Sequence, residues 1–201
     1  MHNVFISYHH ANDQYFKDYL LDINKLHKIF LDGSVDTGDI DENLTDERIR
    51  EKIRDEYLAS TTVTILLVGA ETKKRKHVDW EIYSSMFDGI KNKKSGILVV
   101  NLPTINCTTF TAVHANEKEV LYPNVTQWTS ITDRAEYERR YPYMPDRIID
   151  NLLKKEAKIS VANWDTLTSD VSNLKFIIDA TFNAKETCVY DLSRPMRRAN
   201  S

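Results

Sequence analysis

Glu81 is the residue of this chain whose type and spacing are best suited to chemistry. It follows Val78 by three positions and precedes Ile82 by one, inside a repeat of Val78, Ile82, Met86 and Ile90 that sets one apolar residue per helical turn. It therefore projects from the flank of an apolar stripe and is partly withdrawn from water. A carboxylate held in that way can stabilise positive charge that develops on a bound molecule. Taken alone, an acidic residue in the first turn of a helix is most often a solvated charge favoured by the helix dipole. Its neighbours must decide between the two readings.

Those neighbours follow from the elements that have to position Glu81. Val4-Phe5-Ile6 reads as a short strand, and Asn12 as the cap of a helix with apolar residues at Phe16, Tyr19, Leu20 and Ile23. Ile29-Phe30-Leu31 is a possible second strand, followed by an acidic loop with the turn signals Asp32-Gly33 and Gly38-Asp39. Thr45 reads as an N-cap, with Ile49, Ile53 and Tyr57 on one face of the helix it opens. Val63 to Val68 is continuously apolar and β-branched, as a central parallel strand requires, and Gly69 ends it. The Glu81 helix comes next, and Gly96 to Asn101 then supplies a further buried strand.

Strands alternating with helices at this spacing imply an α/β fold, a doubly wound and mainly parallel sheet with helices on both faces. From 102 to 142 the pattern weakens and reads as loop-rich. Pro145 opens a helix containing Ile148, Ile149, Leu152 and Leu153, a final helix carries Leu174, Ile177 and Ile178, and the last ten or so residues read as frayed. With neither repeat nor low-complexity linker, residues 1–201 are expected to form a single domain. Its core covers about 1–160, and a C-terminal helical extension about 161–201.

In an open parallel sheet, ligands bind beyond the carboxyl ends of the strands. That rule selects Ser7, Tyr8, His9 and His10, the loop from Asp32 to Asp41 with Asp36 in it, the stretch Gly69 to His77, and Asn101 onward. Phe5 and Trp80 flank these positions as aromatics, for which the core reading outweighs a role beside a ligand. The run Lys73-Lys74-Arg75-Lys76 reads as a solvated basic loop, with a phosphate contact as the alternative.

Composition removes several classes. A net charge of −3 with 28% charged residues gives no electrostatic footprint for nucleic acid, and the tryptophans and tyrosines show no spacing for base stacking. The apolar runs are of strand length, too short to span a bilayer, and the first residues do not form a secretory signal, so a cytoplasmic protein is expected. The six histidines and two cysteines lack metal-ligand spacing, so no metal site is expected and Cys107 and Cys188 are read as free thiols. A receiver-type module would need clustered acids after the first strand, where Ser7-Tyr8-His9-His10 stands instead.

Phe5-Ile6-Ser7-Tyr8, with Asp13 beyond it, resembles the first motif of TIR domains. His77-Val78-Asp79-Trp80-Glu81-Ile82 is similar to the Trp-Val-x-x-Glu-Ile segment of TIR-like proteins of the bacterial Thoeris anti-phage system, ThsB-like in type. Tyr143 to Asn151 and Asn163-Trp164-Asp165 resemble later elements of the same family, from which His77 departs where tryptophan is frequent.

The resemblance implies an enzyme that cleaves the bond between nicotinamide and ribose in NAD. NAD is then the substrate, no other cofactor is needed, and Glu81 is the catalytic carboxylate. Phe5, Ser7, Tyr8, His9, Asp36, His77 and Trp80 become the substrate-binding candidates, while Asp13 is expected to order the loop. Further implications are a cyclic ADP-ribose isomer or other ADP-ribose-derived signal acting on a separate effector protein, a phage-derived trigger and homo-oligomerisation on activation. The rival expectation is a non-catalytic TIR-like adaptor, which fits the same fold.

Overall fold

The structure, a computed structural model, describes residues 1–33 and 44–200. Five parallel strands form one sheet in the order β2-β1-β3-β4-β5, with β1 at Asn3–Ser7, β2 at Leu31–Asp32, β3 at Val63–Val68, β4 at Gly96–Asn101 and β5 at Ser160–Asn163. Every connection is therefore a crossover that lays helices on the faces, and the expected doubly wound α/β fold is found. The helices are α1 (His10–His27), α2 (Asp46–Glu51), α3 (Lys76–Met86), α4 (Glu117–Leu121), α5 (Arg134–Arg140), α6 (Asp146–Leu152), α7 (Trp164–Thr168) and α8 (Val171–Ala184). No described helix is long and apolar enough to cross a membrane.

The alternation of side chains along a strand divides the core. Val63, Ile65 and Leu67 of β3 face the layer of α1 and α8, with Leu20, Leu174, Ile177 and Ile178. Leu66 and Val68 face the opposite layer, where Val78, Ile82 and Met86 of α3 meet Ile148 and Ile149 of α6. A third cluster, of Phe5, Ile49, Ile53, Leu58, Trp80 and Met196, fills the space between β1 and α3.

Local structure departs from expectation in several places, each with a physical cause. The N-cap of α1 is His9, not Asn12. Ile29 and Phe30 are buried but precede β2, because Asn24 Oδ1 accepts from both of their backbone N–H groups at 2.9 Å while Lys28 turns the chain with φ 52°. Their apolar signal belongs to the end of α1. The Thr45 cap is present, its hydroxyl accepting from Arg48 N at 3.3 Å, and α2 runs on as a π-helical turn over Lys52–Tyr57. Helix α3 stops at Met86, with Phe87 extended, so Ile90 falls off the repeat and is fully exposed. The stretch read as loop-rich holds α4 and α5, and β5 is a strand of four residues.

The tail is not frayed. Asn151 Oδ1 accepts from Asp191 N at 2.7 Å, Arg147 donates to the carbonyls of Arg194 and Pro195, and Arg198 pairs with Asp46 and donates to Leu44 O. Polar residues held by backbone bonds carry no hydrophobic period for sequence reading to find.

Candidate functional site

The site begins where β1 ends. Ser7 is its last residue and shares a face with Phe5, so its hydroxyl points into the layer of α3 and not toward α1. On α3 the residues Val78, Ile82 and Met86 lie against the sheet, which brings Glu81, beside them, over the end of β1. The two side chains meet there: Ser7 Oγ donates to Glu81 Oε2 at 2.6 Å. Ser7 is wholly buried and Glu81 is 4% exposed. A hydroxyl donor at this distance fixes the orientation of the carboxylate.

The residues around the pair hold α3 in register. Trp80, 1% exposed, packs with Phe5 in the third core cluster, and its indole Nε1 donates to Arg197 O at 2.7 Å. Asp79 forms a two-pronged ion pair with the buried Arg147, Nε to Oδ1 at 2.9 Å and Nη2 to Oδ2 at 3.0 Å. Asp79 Oδ2 also accepts from Arg197 N at 2.8 Å, and Asn200 Oδ1 accepts from Lys76 N at 3.0 Å. The first turn of the helix that carries Glu81 is thus tied to α6 and to the tail. The motif reading included Asp79 and Arg147 without giving either a role. A buried charge pair between distant segments leaves no periodic trace.

Beside Ser7 the rim is closed by a small polar lock. Asp13, 2% exposed, sits against Gly69 at the end of β3, and Thr72 Oγ1 accepts from Gly69 N at 2.9 Å while facing Asp13 Oδ2 at 3.4 Å. Burial holds the Asp13 carboxyl above its ordinary range. Asp13 thereby joins the start of α1 to the loop that follows β3.

The remaining candidates are distributed unevenly. His9 caps α1 at the rim, its Nδ1 buried and without a hydrogen-bond partner among the described residues. Burial, and then the charge of Arg75, lower its pKa, which favours the neutral imidazole. Tyr8 turns to the other layer, joins the cluster of α1 and α8, donates to Gln14 Oε1 at 2.5 Å and stacks on His10. His77 is exposed and meets the ring of Trp80 edge-on, with centroids 4.9 Å apart. Phe5 and Trp80 occupy the packing behind the pair. Asp36 lies outside the described residues.

The basic run is largely committed. Lys73 donates to Pro142 O, Lys74 and Arg75 face Glu71 at 3.1 and 3.6 Å, and Lys76 is buried with its ammonium over the Trp80 ring.

Two comparisons with known proteins bear on this arrangement. No curated protein matches the chain. The family model described as Thoeris protein ThsB, TIR-like domain, matches residues 5–106, a stretch that includes Ser7, Asp13, Asp79 and Glu81.

Proposed function

The chain belongs to the TIR-like family of Thoeris ThsB proteins, and from that premise we propose that it cleaves the nicotinamide–ribose bond of NAD with Glu81 as the catalytic carboxylate. The observation that carries this reading is the pair at the carboxyl end of β1, with Ser7 Oγ 2.6 Å from Glu81 Oε2. Strand ends of this kind are where parallel sheets hold ligands.

Nicotinamide departs as a neutral molecule, taking the electron pair of the C–N bond, so no general acid is needed. One anion beside the ribose suffices to stabilise the oxocarbenium-like carbon left behind. Glu81, oriented by Ser7, serves as that anion and accepts from the ribose hydroxyls. His9, with an unmet ring nitrogen at the rim, borders the nucleotide together with His77, and Asp36 stays a substrate-binding candidate on the family resemblance alone. The ribosyl carbon is then captured by water. Alternatively, a nucleophilic atom of the same bound molecule captures it, giving a cyclic ADP-ribose isomer or another ADP-ribose-derived signal for a separate effector protein.

At 4% exposure, Glu81 becomes accessible to a ribose only when the rim rearranges. On this reading, as the family resemblance implies, the enzyme is switched on by a trigger and by homo-oligomerisation, in the cytoplasm. The tail ties to α3 support one working unit over residues 1–201, a core of about 1–160 carrying a helical extension of about 161–201. The same low exposure is what favours the rival reading, a non-catalytic adaptor.

The test is incubation of the purified chain with NAD, with and without lysate of phage-infected cells, followed by mass spectrometry of the nucleotides. The proposal expects a product whose formation E81Q lowers by about 10²- to 10³-fold. Signalling that survives E81Q, with no Glu81-dependent product under either condition, would leave the adaptor.

A further inference from the structure

At the opposite edge of the sheet from β2, the chain opens a groove of about 660 Å³ along β5. Its volume is within the range of small-molecule sites, roughly 300 to 1,000 Å³. The charge of its walls is one-sided. Lys118, Arg140, Lys154, Lys155 and Lys158 line it, and no aspartate or glutamate does. Two of these cations are already matched, Arg140 by Glu136 at 2.5 Å and Lys154 by Asp191 at 3.1 Å.

The other three have no carboxylate within ion-pair distance among the described residues. Lys118 instead holds its ammonium 4.4 Å over the ring of Trp128, and Lys158 donates to Thr187 Oγ1 at 2.7 Å. A concave surface that collects uncompensated cations concentrates anions.

Two further features point to what kind of anion. The outer wall is the segment 126–132, whose backbone makes no hydrogen bond to the described protein. Its N–H groups, together with the exposed hydroxyls of Thr129, Ser130 and Thr132, have no acceptor among the described residues. Two aromatics line the groove, Phe110 and the half-buried Trp128, which meet edge-on, and the buried Tyr122 stacks behind Phe110 at 4.0 Å and 7°. Ammonium groups and backbone donors suit phosphate oxygens, and an aromatic lining suits a planar ring.

We propose that this groove is a second ligand site, which takes a phosphorylated nucleotide. It is separate from the Ser7–Glu81 pair and stands whether or not that pair cleaves NAD. The three unmatched lysines hold the phosphate, the Thr and Ser hydroxyls and open backbone hold the sugar, and the base lies on the aromatic cluster. A neutral ligand would leave the lysines unused.

The test is calorimetric titration of the full chain with AMP, adenosine and inorganic phosphate, backed by tryptophan fluorescence, to which Trp128 contributes from the groove wall while Trp80 and Trp164 lie outside it. AMP is expected to bind at least about tenfold more tightly than adenosine or phosphate alone, one charge-assisted bond being enough for that factor. K155E/K158E should weaken AMP by about tenfold or more, and W128F should abolish the fluorescence change. Lys155 is exposed and Lys158 half-buried, and an unchanged circular dichroism spectrum shows that the double variant folds. The proposal is overturned if AMP does not bind, if K155E/K158E binds it normally, if phosphate binds as well as AMP, or if an acidic peptide outcompetes AMP for the groove.

Discussion

Two glutamates of this chain have the same partner chemistry at opposite ends of the sheet. Glu81 accepts from Ser7 at 2.6 Å, and Ser7 closes β1; Glu117 accepts from Ser160 at 2.6 Å, and Ser160 opens β5. Both carboxylates are buried, Glu117 completely. Their surroundings separate them. Glu117 Oε2 also accepts from the backbone N–H of Val113 and of His114, each at 2.9 Å, so it folds its own chain back against the β5 edge. Burial nonetheless outweighs these bonds and pushes the Glu117 carboxyl above its ordinary range. Glu81 stands at the carboxyl ends of the strands, where α3 and the tail hold it against the rim. A serine–glutamate pair is thus a joint in one place and a candidate reaction centre in the other, and the end of the sheet on which it falls decides which.

The sharpest way to break this comparison is to neutralise each carboxylate in turn. E81Q should lower nucleotide production by about 10²- to 10³-fold, the loss typical of one preorganised electrostatic group. E117Q should leave production in place and cost about 1 to 3 kcal/mol of stability, because a buried amide donor then lacks a partner. Rates from mass spectrometry and midpoints from urea unfolding read both. Exchange of the two outcomes between the variants would reverse the assignment.

The Glu81 end depends on a clamp that the Glu117 end lacks. R147A leaves Asp79 buried without its cation and frees the carbonyls of Arg194 and Pro195, so a loss of about 3 to 5 kcal/mol is expected from urea melts. Truncation after residue 193 should remove the tail's bonds to Trp80 Nε1, Lys76 N, Arg147 and Asp79 Oδ2 while keeping the Arg147–Asp79 ion pair itself, and so cost less. Equal losses would show that the tail, not the ion pair, carries the clamp.

At the Glu117 end, acid should act through His114, whose pKa burial lowers from 6.5 to about 4. The native state then binds fewer protons than the unfolded chain between those values, so stability falls as pH drops through the window. The loss is on the order of 3 kcal/mol at most. H114Q should flatten that part of the curve in urea melts taken from pH 7 to 4. Glu117, with its raised pKa, contributes the opposite slope above its unfolded value, so an E117Q curve displaced in the other direction is the internal control.

The difference between the two ends also explains what could be read beforehand. β3 and β4 were legible because continuous β-branched runs have few alternatives, and Glu81 because it sits inside a four-residue repeat. The repeat nevertheless overran the helix at Ile90, since period alone does not mark an end. Ile29-Phe30-Leu31 reads as a possible strand although only Leu31 belongs to β2, because burial beside a helix cap and burial in a strand select the same side chains. Strand β5 is too short to show a pattern. The joint at Glu117 and the clamp of Asp79, Arg147 and the tail rest on contacts between residues 43 to 118 positions apart, which no local window contains.

The smallest effect expected belongs to the lock beside Ser7, where a single methyl group tests the geometry. A Cβ on Gly69 would lie 2.4 Å from Asp13 Oδ2 and 2.5 Å from Oδ1, both far inside contact distance. Asp13 is too buried and too short to swing away, so G69A must push α1 from the end of β3, at a cost of about 1 to 3 kcal/mol. If the methyl acts through that contact, D13A should relieve it, and G69A/D13A should be more stable than the sum of the single losses by about 1 kcal/mol or more. Melts of the four proteins decide this, and strict additivity would mean that Gly69 is required for another reason. Because Ser7 ends the strand between these two groups and α3, G69A should also slow nucleotide production, with D13A restoring it in parallel with the melting midpoint. No such coupling should appear for a small-to-large change beside Glu117.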